Sequence, residues 1–585
     1  MNGRAPTHSM ERKAEMKLWR MLLPWVALFC AAPHAIHGAV DADMRRQKKL
    51  IATGWDKADT ERLFQNLDQM EQRPFDGVVI DCEGRIDAEK RCPMRAAFKK
   101  DEWRREWFQA CVDRMRACRF RRFTDNFITV GANPGNVDWF DDEGWKQIVA
   151  HWRIAAWVAK QGGFKGILFD PEPYSKPHMQ FAYSAQPGKE AHDFNAHHAK
   201  ARERGRQVIA AIAAEYPDIT LFCYFLNISC ATATGQADPR ALLSALGYGL
   251  LPPFVDGWLD AMPPTMTVVD GCEHAYMYNS AVQYLESALK IKGACQELVS
   301  PENRAKYRSQ VQVGFGIYLD AYSNPEGSKY FMKTNLPSRL HQLRANLSAA
   351  LRSADEYVWV YGEKFRWWPT PNKRVNEQTW PEALPGCEKA LRFARDPLDY
   401  GRQCIAEKTR AGQLVNLARN GDFASDMSPA PAPEGAVERW KQGGCPAGWH
   451  VWQAAESKGA FTWDREHGAA GKGSARISGV AEGCLIQSYD VKAGERFAVG
   501  AALKLEGKGD GRIRVRWQTA DGHWTHEIQD KLIPPNGPRG QWSDLFGVVE
   551  IPEDVGKLVL LLGAAGQTSA EDLAWYDDVR VYKLE

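Results

Sequence analysis

Short apolar runs recur along the first two thirds of the chain, and stretches with helical spacing of apolar residues separate them. The runs fall at 49–54, 75–80, 126–130, 165–169, 219–225, 266–269, 311–317 and 357–361. They are rich in β-branched and apolar residues, the pattern of strands covered on both faces. Between them Leu63, Leu67 and Met70 share one helical face, as do Trp145, Ile148, Val149, Trp152 and Ala156, and later Leu340, Leu343, Leu347 and Leu351. Strand alternating with helix eight times predicts an α/β fold, a (β/α)8 TIM barrel over residues 47–385, with its active site at the carboxyl ends of the strands. A doubly wound open sheet is the less favoured alternative, because no GxGxxG or P-loop succeeds the first run.

Past residue 385 the pattern changes. Residues 386–413 carry two cysteines and many charges, which predicts an extension linking the barrel to a second domain. From 414 to 585 apolar runs alternate with Gly, Pro and Asp turns, at 475–477, 484–489, 497–503, 513–518, 545–550, 557–562 and 579–582. That spacing predicts an all-β sandwich. At the other end, Lys13, Lys17 and Arg20 precede an apolar run at 21–32, the length of a signal-peptide core. Residues 1–39 are therefore expected to be a signal peptide and the mature protein to be secreted or periplasmic. No later run is long enough to span a bilayer, so no membrane partner is expected after cleavage.

Composition narrows the function. Lys+Arg number 75 against Asp+Glu 73, a net charge of +2, which leaves no electrostatic footprint for nucleic acid. The 22 Trp raise a carbohydrate partner, since flat aromatic faces serve sugar sites as well as cores. Setting Cys30 aside with the signal peptide leaves an even number of cysteines, from 13, so disulfides are expected in an oxidising compartment. Cys82 with Cys92, Cys223 with Cys230, Cys272 with Cys295 and Cys387 with Cys404 would each close a short loop. No CxxC, HxH or HExxH spacing occurs, and no cofactor is expected for catalysis.

The chemistry gathers where the predicted strands end. The first ends in Trp55, the second in Asp81 and Glu83, the third in Asn133, the fourth in Asp170, Glu172 and Tyr174, and the fifth in Asn227. The later ones end in Asp270 and Glu273, in Tyr318 and Asp320, and in Tyr361 and Glu363 with Trp367 and Trp368 just beyond. Carboxylates at several strand ends are the material of glycoside hydrolysis: one protonated acid assists the leaving group, and a second carboxylate stabilises or attacks the oxocarbenium centre. Asp170 and Glu172 stand two apart at the end of an extended run, so their side chains point to one side and compete for ionisation. This makes Glu172 the candidate general acid and Asp170 its tuning neighbour. Glu363 or the Asp81 and Glu83 pair would be the other carboxylate. Trp55, Trp139, Trp367 and Trp368 are candidate sugar platforms, and Asn133, Tyr174, Asn227, Glu273 and Tyr318 candidate substrate contacts.

The run from Phe164 to Glu172 resembles the D-x-E end of the chitinase-family motif. The resemblance implies that Glu172 protonates the glycosidic oxygen and Asp170 orients a substrate acetamide. More widely, the barrel with acidic strand ends resembles secreted bacterial barrel glycoside hydrolases, which implies a poly- or oligosaccharide substrate. Asn416-Leu417-Ala418-Arg419-Asn420-Gly421-Asp422-Phe423, Gly448-Trp449 and Trp575-Tyr576-Asp577-Asp578-Val579-Arg580-Val581 resemble the ends of jelly-roll carbohydrate-binding modules. That resemblance implies a structural calcium, with Asp422 and Asp577 as its candidate ligands. Two other classes remain open: a non-catalytic carbohydrate-binding or scaffold protein, and a metal-dependent barrel hydrolase, which would need a His and carboxylate cluster at the strand ends. Oligomeric state is not legible.

Overall fold

The structure, a computed structural model, describes residues 48–135, 137–174, 179–368, 374–424 and 446–585, with only the backbone of residue 528. The expected signal peptide lies outside the described residues. No described helix is long and apolar enough to cross a membrane.

All eight predicted runs of the first region form strands: β1 (Lys49–Gly54), β2 (Gly77–Ile80), a hairpin of β3 (Glu83–Arg85) and β4 (Arg91–Pro93), then β5 (Phe127–Gly131), β6 (Gly166–Asp170), β7 (Thr220–Cys223), β8 (Thr267–Asp270), β9 (Val311–Val313), β10 (Phe315–Tyr318) and β11 (Tyr357–Gly362). Apart from the hairpin, every pairing is parallel, in the order β10-β11-β1-β2-β5-β6-β7-β8-β9. The seventh run is one segment in the sequence and two strands in the structure. Its first half pairs with β8 and its second with β11, and only Gly314 separates them. The sheet thus returns to within one residue of itself, a nearly closed barrel-like layer of nine short strands.

The sheet interior is apolar because nearly every strand residue is buried, and the helices cover its outside. Leu63, Leu67 and Met70 are buried on the helix Thr60–Met70, which Asp59 caps by accepting from the Arg62 N–H. Trp145, Ile148, Trp152 and Ala156 are buried on Asp142–Gln161, capped likewise by Asp141. At the carboxyl end β1 and β11 meet at Gly54 and Gly362. Gly54 has φ 123, and a Cβ there would lie 2.2 Å from the Gly362 carbonyl oxygen. Strain and clash add at this position, so Gly54→Ala should cost about 2–4 kcal/mol, read as a lower urea midpoint. An unchanged midpoint would mean that the rim yields to the added methyl group.

The extension is helical: Cys387–Arg395 and Pro397–Arg410 come after the barrel, and the first contributes Cys387, Ala390 and Leu391 to its core. The last region is the expected antiparallel sandwich, formed by β12 (His450–Gln453), β13 (Ala460–Asp464), β14 (Ser474–Ser478), β15 (Glu482–Asp490), β16 (Arg496–Glu506), β17 (Asp510–Gln518), β18 (Trp524–Thr525), β19 (Lys531–Ile533), β20 (Ser543–Glu550), β21 (Lys557–Ala565) and β22 (Leu573–Lys583). One sheet runs β12-β15-β21-β17-β18 with β19 on β17, the other β13-β14-β22-β16-β20. All seven predicted runs are strands; β12, β13, β18 and β19 are additional, and all but β13 are four residues or fewer. Phe393 and Tyr400 of the extension pack with Ala498, Val548 and Leu584, which joins the two regions through a small apolar cluster.

The four expected cysteine pairings are corrected. The eleven described cysteines are all free thiols, and none of the four loop-closing pairs forms. Cys82 faces Cys111 rather than Cys92, because Cys92 sits opposite Gly84 in the hairpin register. Proximity in sequence does not bring two Cβ atoms within bonding distance when strand register directs them apart.

Candidate active site

Parallel register aligns the strand ends, with Gly131 beside Asp170 and Cys223 beside Asp270, so residues just past the strands share one rim. Asp170, the last residue of β6, is 8% exposed. Burial pushes its carboxyl up to about 7, and the neighbouring Glu172 adds to the push. Its Oδ1 accepts the Glu172 backbone N–H at 3.1 Å, which locks the turn. The Tyr174 hydroxyl lies 3.0 Å from both Asp170 Oδ2 and Glu172 Oε2. A phenol has one proton, so only one of these contacts can be its donation. A protonated Asp170 that donates to Tyr174, which in turn donates to Glu172, satisfies both. Tyr248 donates to Glu172 Oε1 at 3.4 Å, so two phenols face one carboxylate. Asn133 holds this turn from the side, with Oδ1 accepting the Tyr174 backbone N–H at 2.7 Å.

Glu273 enters the same cluster from β8. Its predecessor Cys272 has φ 43, a left-handed conformation rare outside glycine, and the Glu273 N–H donates to the Tyr224 carbonyl at 3.1 Å. The kink turns the chain out of the strand and directs Glu273 toward the rim. Burial raises its carboxyl to about 8, with repulsion from Glu172 and Asp170 next in size, while Tyr276 donates a hydrogen bond to it. Glu363, after β11, is raised by burial and held by the Tyr318 hydroxyl. Its backbone N–H donates to Asp320 Oδ2 at 2.8 Å, and burial lifts Asp320 to about 6. Tyr276 stacks on Tyr318 at 4.9 Å and on Tyr361 at 5.9 Å. Trp55 is 47% exposed at the end of β1, with its indole N–H on the Tyr361 hydroxyl. The site is thus four carboxyl groups, Asp170, Glu172, Glu273 and Glu363, set among tyrosines.

Other sequence candidates lie elsewhere. Asp81 is 3.7 Å from Arg374, and Glu83 is exposed on the hairpin, so neither joins the cluster. Asp270 accepts the backbone N–H groups of Leu226 and Ile228, each at 3.0 Å, which makes it a buried brace. Asn227 is fully buried, and its amide has no partner among the described residues. Trp139 stacks on Trp145 in the core. Trp367 and Trp368 pack edge-on against Phe75, and their backbone N–H groups donate to Asp56 at 2.7 and 3.1 Å. They are packing residues, not sugar platforms. Trp367→Ala should therefore lose about 3–5 kcal/mol of stability in a urea titration. Trp55→Ala, by contrast, should leave the midpoint within about 0.5 kcal/mol. Equal losses would contradict this division.

Tyr224, Tyr248 and Tyr276 are not singled out by sequence. Tyr224 lies inside the fifth predicted run next to its end, a usable signal, whereas Tyr276 lies seven residues past the sixth and Tyr248 far from any, so both are reached only through the fold.

Asp577 Oδ2 accepts the Ala469 N–H and Oδ1 the Asp578 N–H, while Asp422 is exposed. Among the described residues no group of three or more His, Cys, Asp and Glu is arranged to hold a metal ion.

No protein-family model matches the chain, and no curated protein matches it. Among solved structures, it is similar in part to the enzymatically active domain of bacteriophage CBA120 tailspike protein 4, at 14% identity over 29% of this chain and 21% of that one, TM-score 0.21. Endo-1,4-β-D-xylanase 10B modules of Clostridium thermocellum match at 12% identity over 23% and 26%, TM-score 0.20. The xylan-binding domain of Paenibacillus barcinonensis Xyn10C matches at 19% over 25% and 90%, TM-score 0.19. The chain spans about a quarter of the first two structures, and each likeness covers under a third of this chain.

Proposed function

We propose that this protein is an exported glycoside hydrolase whose sheet works as a (β/α)8 barrel and cleaves a poly- or oligosaccharide at its carboxyl rim. The observation that carries this reading is a buried carboxyl group that holds its proton, Glu273, in one cluster with a second, Glu172. Glu273 keeps its proton to about 8. Glu172 is faced by the hydroxyls of Tyr174 and Tyr248, which fix its orientation. A carboxyl group that stays protonated near neutral pH beside a second one is what a general acid and its partner require. Glu273 is then the general acid that protonates the departing glycosidic oxygen. Glu172 stabilises or attacks the oxocarbenium centre, with Asp170 and Tyr174 holding its orientation. This exchanges the role that sequence assigns to Glu172. Trp55 offers a ring to the sugar, and the sandwich serves as the accessory carbohydrate-binding module implied by its terminal motifs.

The test is reducing-end release from a panel of diverse glycans, with the Glu172→Gln, Glu273→Gln double variant as control. Release by the wild type alone is expected. Glycan binding without release by the wild type would make this a non-catalytic binding protein.

A further inference from the structure

Cys82 comes just after β2 and leads into the β3–β4 hairpin, and Cys111 lies in the helix Gln109–Ala117 packed against it. The packing is close: a Cβ on Gly84 would lie 2.8 Å from the Phe108 ring. Both cysteines are buried, and their thiols share a hydrogen bond. Cys111 Sγ also donates to the Glu83 carbonyl at 3.3 Å, which fixes its side chain toward the hairpin. The other cysteines nearby have different partners: Cys92 faces Gly84 across the hairpin, and Cys118 donates to the Arg114 carbonyl at 3.4 Å.

We propose that Cys82 and Cys111 join as a disulfide in the mature protein, tying the hairpin beside the active-site rim to the helix 109–117. The oxidant is a low-molecular-weight disulfide such as oxidised glutathione. The Cys111 thiol, uncovered before the hairpin closes over it, gives up its proton to solvent and supplies the thiolate. That thiolate attacks one sulfur of oxidised glutathione and displaces a glutathione thiolate, which takes up a proton. Cys82 then gives up its proton and attacks the Cys111 sulfur of the mixed disulfide, which releases the second glutathione. Two protein thiols lose two hydrogens and two electrons, and one oxidised glutathione becomes two reduced molecules. Both sulfurs are covered in the folded protein, so exchange takes place in the folding chain or when the hairpin opens.

The experiment uses the wild-type chain, refolded in a glutathione redox buffer, alkylated with iodoacetamide and digested without reduction. The expected result is one peptide pair linked through Cys82 and Cys111 that separates on reduction. Cys111→Ser should leave Cys82 alkylated. Wild-type protein with both cysteines alkylated, or with either joined to another cysteine such as Cys92, would overturn the proposal.

Discussion

Glu172→Gln should abolish hydrolysis of every substrate, whereas Glu273→Gln should spare those with good leaving groups. A general acid contributes about 10²–10⁴ in rate, and its proton matters less when the leaving group departs unaided. Glu273→Gln should therefore lose about that factor in kcat on a natural glycan and far less on an activated aryl glycoside. The wild-type rate should fall as pH passes about 8, where Glu273 gives up its proton, and this limb should vanish in Glu273→Gln. Glu172 has no such escape, because the oxocarbenium centre needs its charge with any leaving group. If Glu172→Gln kept activity on aryl glycosides and Glu273→Gln did not, the two roles would be exchanged again.

The second large effect concerns stability, which the site lowers as pH rises. An unfolded Asp releases its proton near 3.8, while Asp170 in the fold holds it to about 7. Between those values the folded state binds more protons, so the free energy of unfolding falls with rising pH through that window. The cost is absent below about 4 and complete above about 7. Glu273 adds a parallel loss that ends near 8. Asp170→Asn keeps both contacts of the protonated acid, accepting from the Glu172 N–H and donating to Tyr174, and cannot ionise. It should raise the melting temperature at pH 8.5, with a gain of about 1–3 kcal/mol, and leave it nearly unchanged at pH 4. Calorimetry at the two pH values checks the sign. A variant less stable than wild type at pH 8.5 would show that the buried carboxylate stabilises the fold.

A site assembled at this cost in stability is consistent with function, and the same residues show how far sequence reaches. Asp170, Glu172 and Tyr174 are legible because they occupy one turn, and neighbours two apart on an extended chain must meet. Glu273 is legible as a strand-end acid, but not as the group that holds a proton at neutral pH. That property depends on burial and on Glu172, which is 101 residues away in sequence. Asp81, Glu83, Trp367 and Trp368 satisfy the same positional rule as Glu363, yet none faces the cluster. Position after a strand selects the rim but does not say which way a loop turns.

Periodicity and its consequences were determined by the sequence alone: the eight buried runs, the helical faces between them, the change to alternating strands after residue 414, and the acid-rich strand ends. These arise from local rules, since a residue's neighbours in sequence decide which face it presents. The tertiary structure alone decided the rest. It split the seventh run at Gly314, because that segment pairs with β8 on one side and β11 on the other. It turned Cys82 toward Cys111, and it packed Trp367 and Trp368 against Phe75 and Asp56. It also brought Glu172, Glu273 and Glu363 to one rim, where burial raises the proton affinity of Glu273 and Glu363. Each of these depends on distances between residues far apart in sequence, and register, burial and charge proximity exist only once the chain has closed on itself.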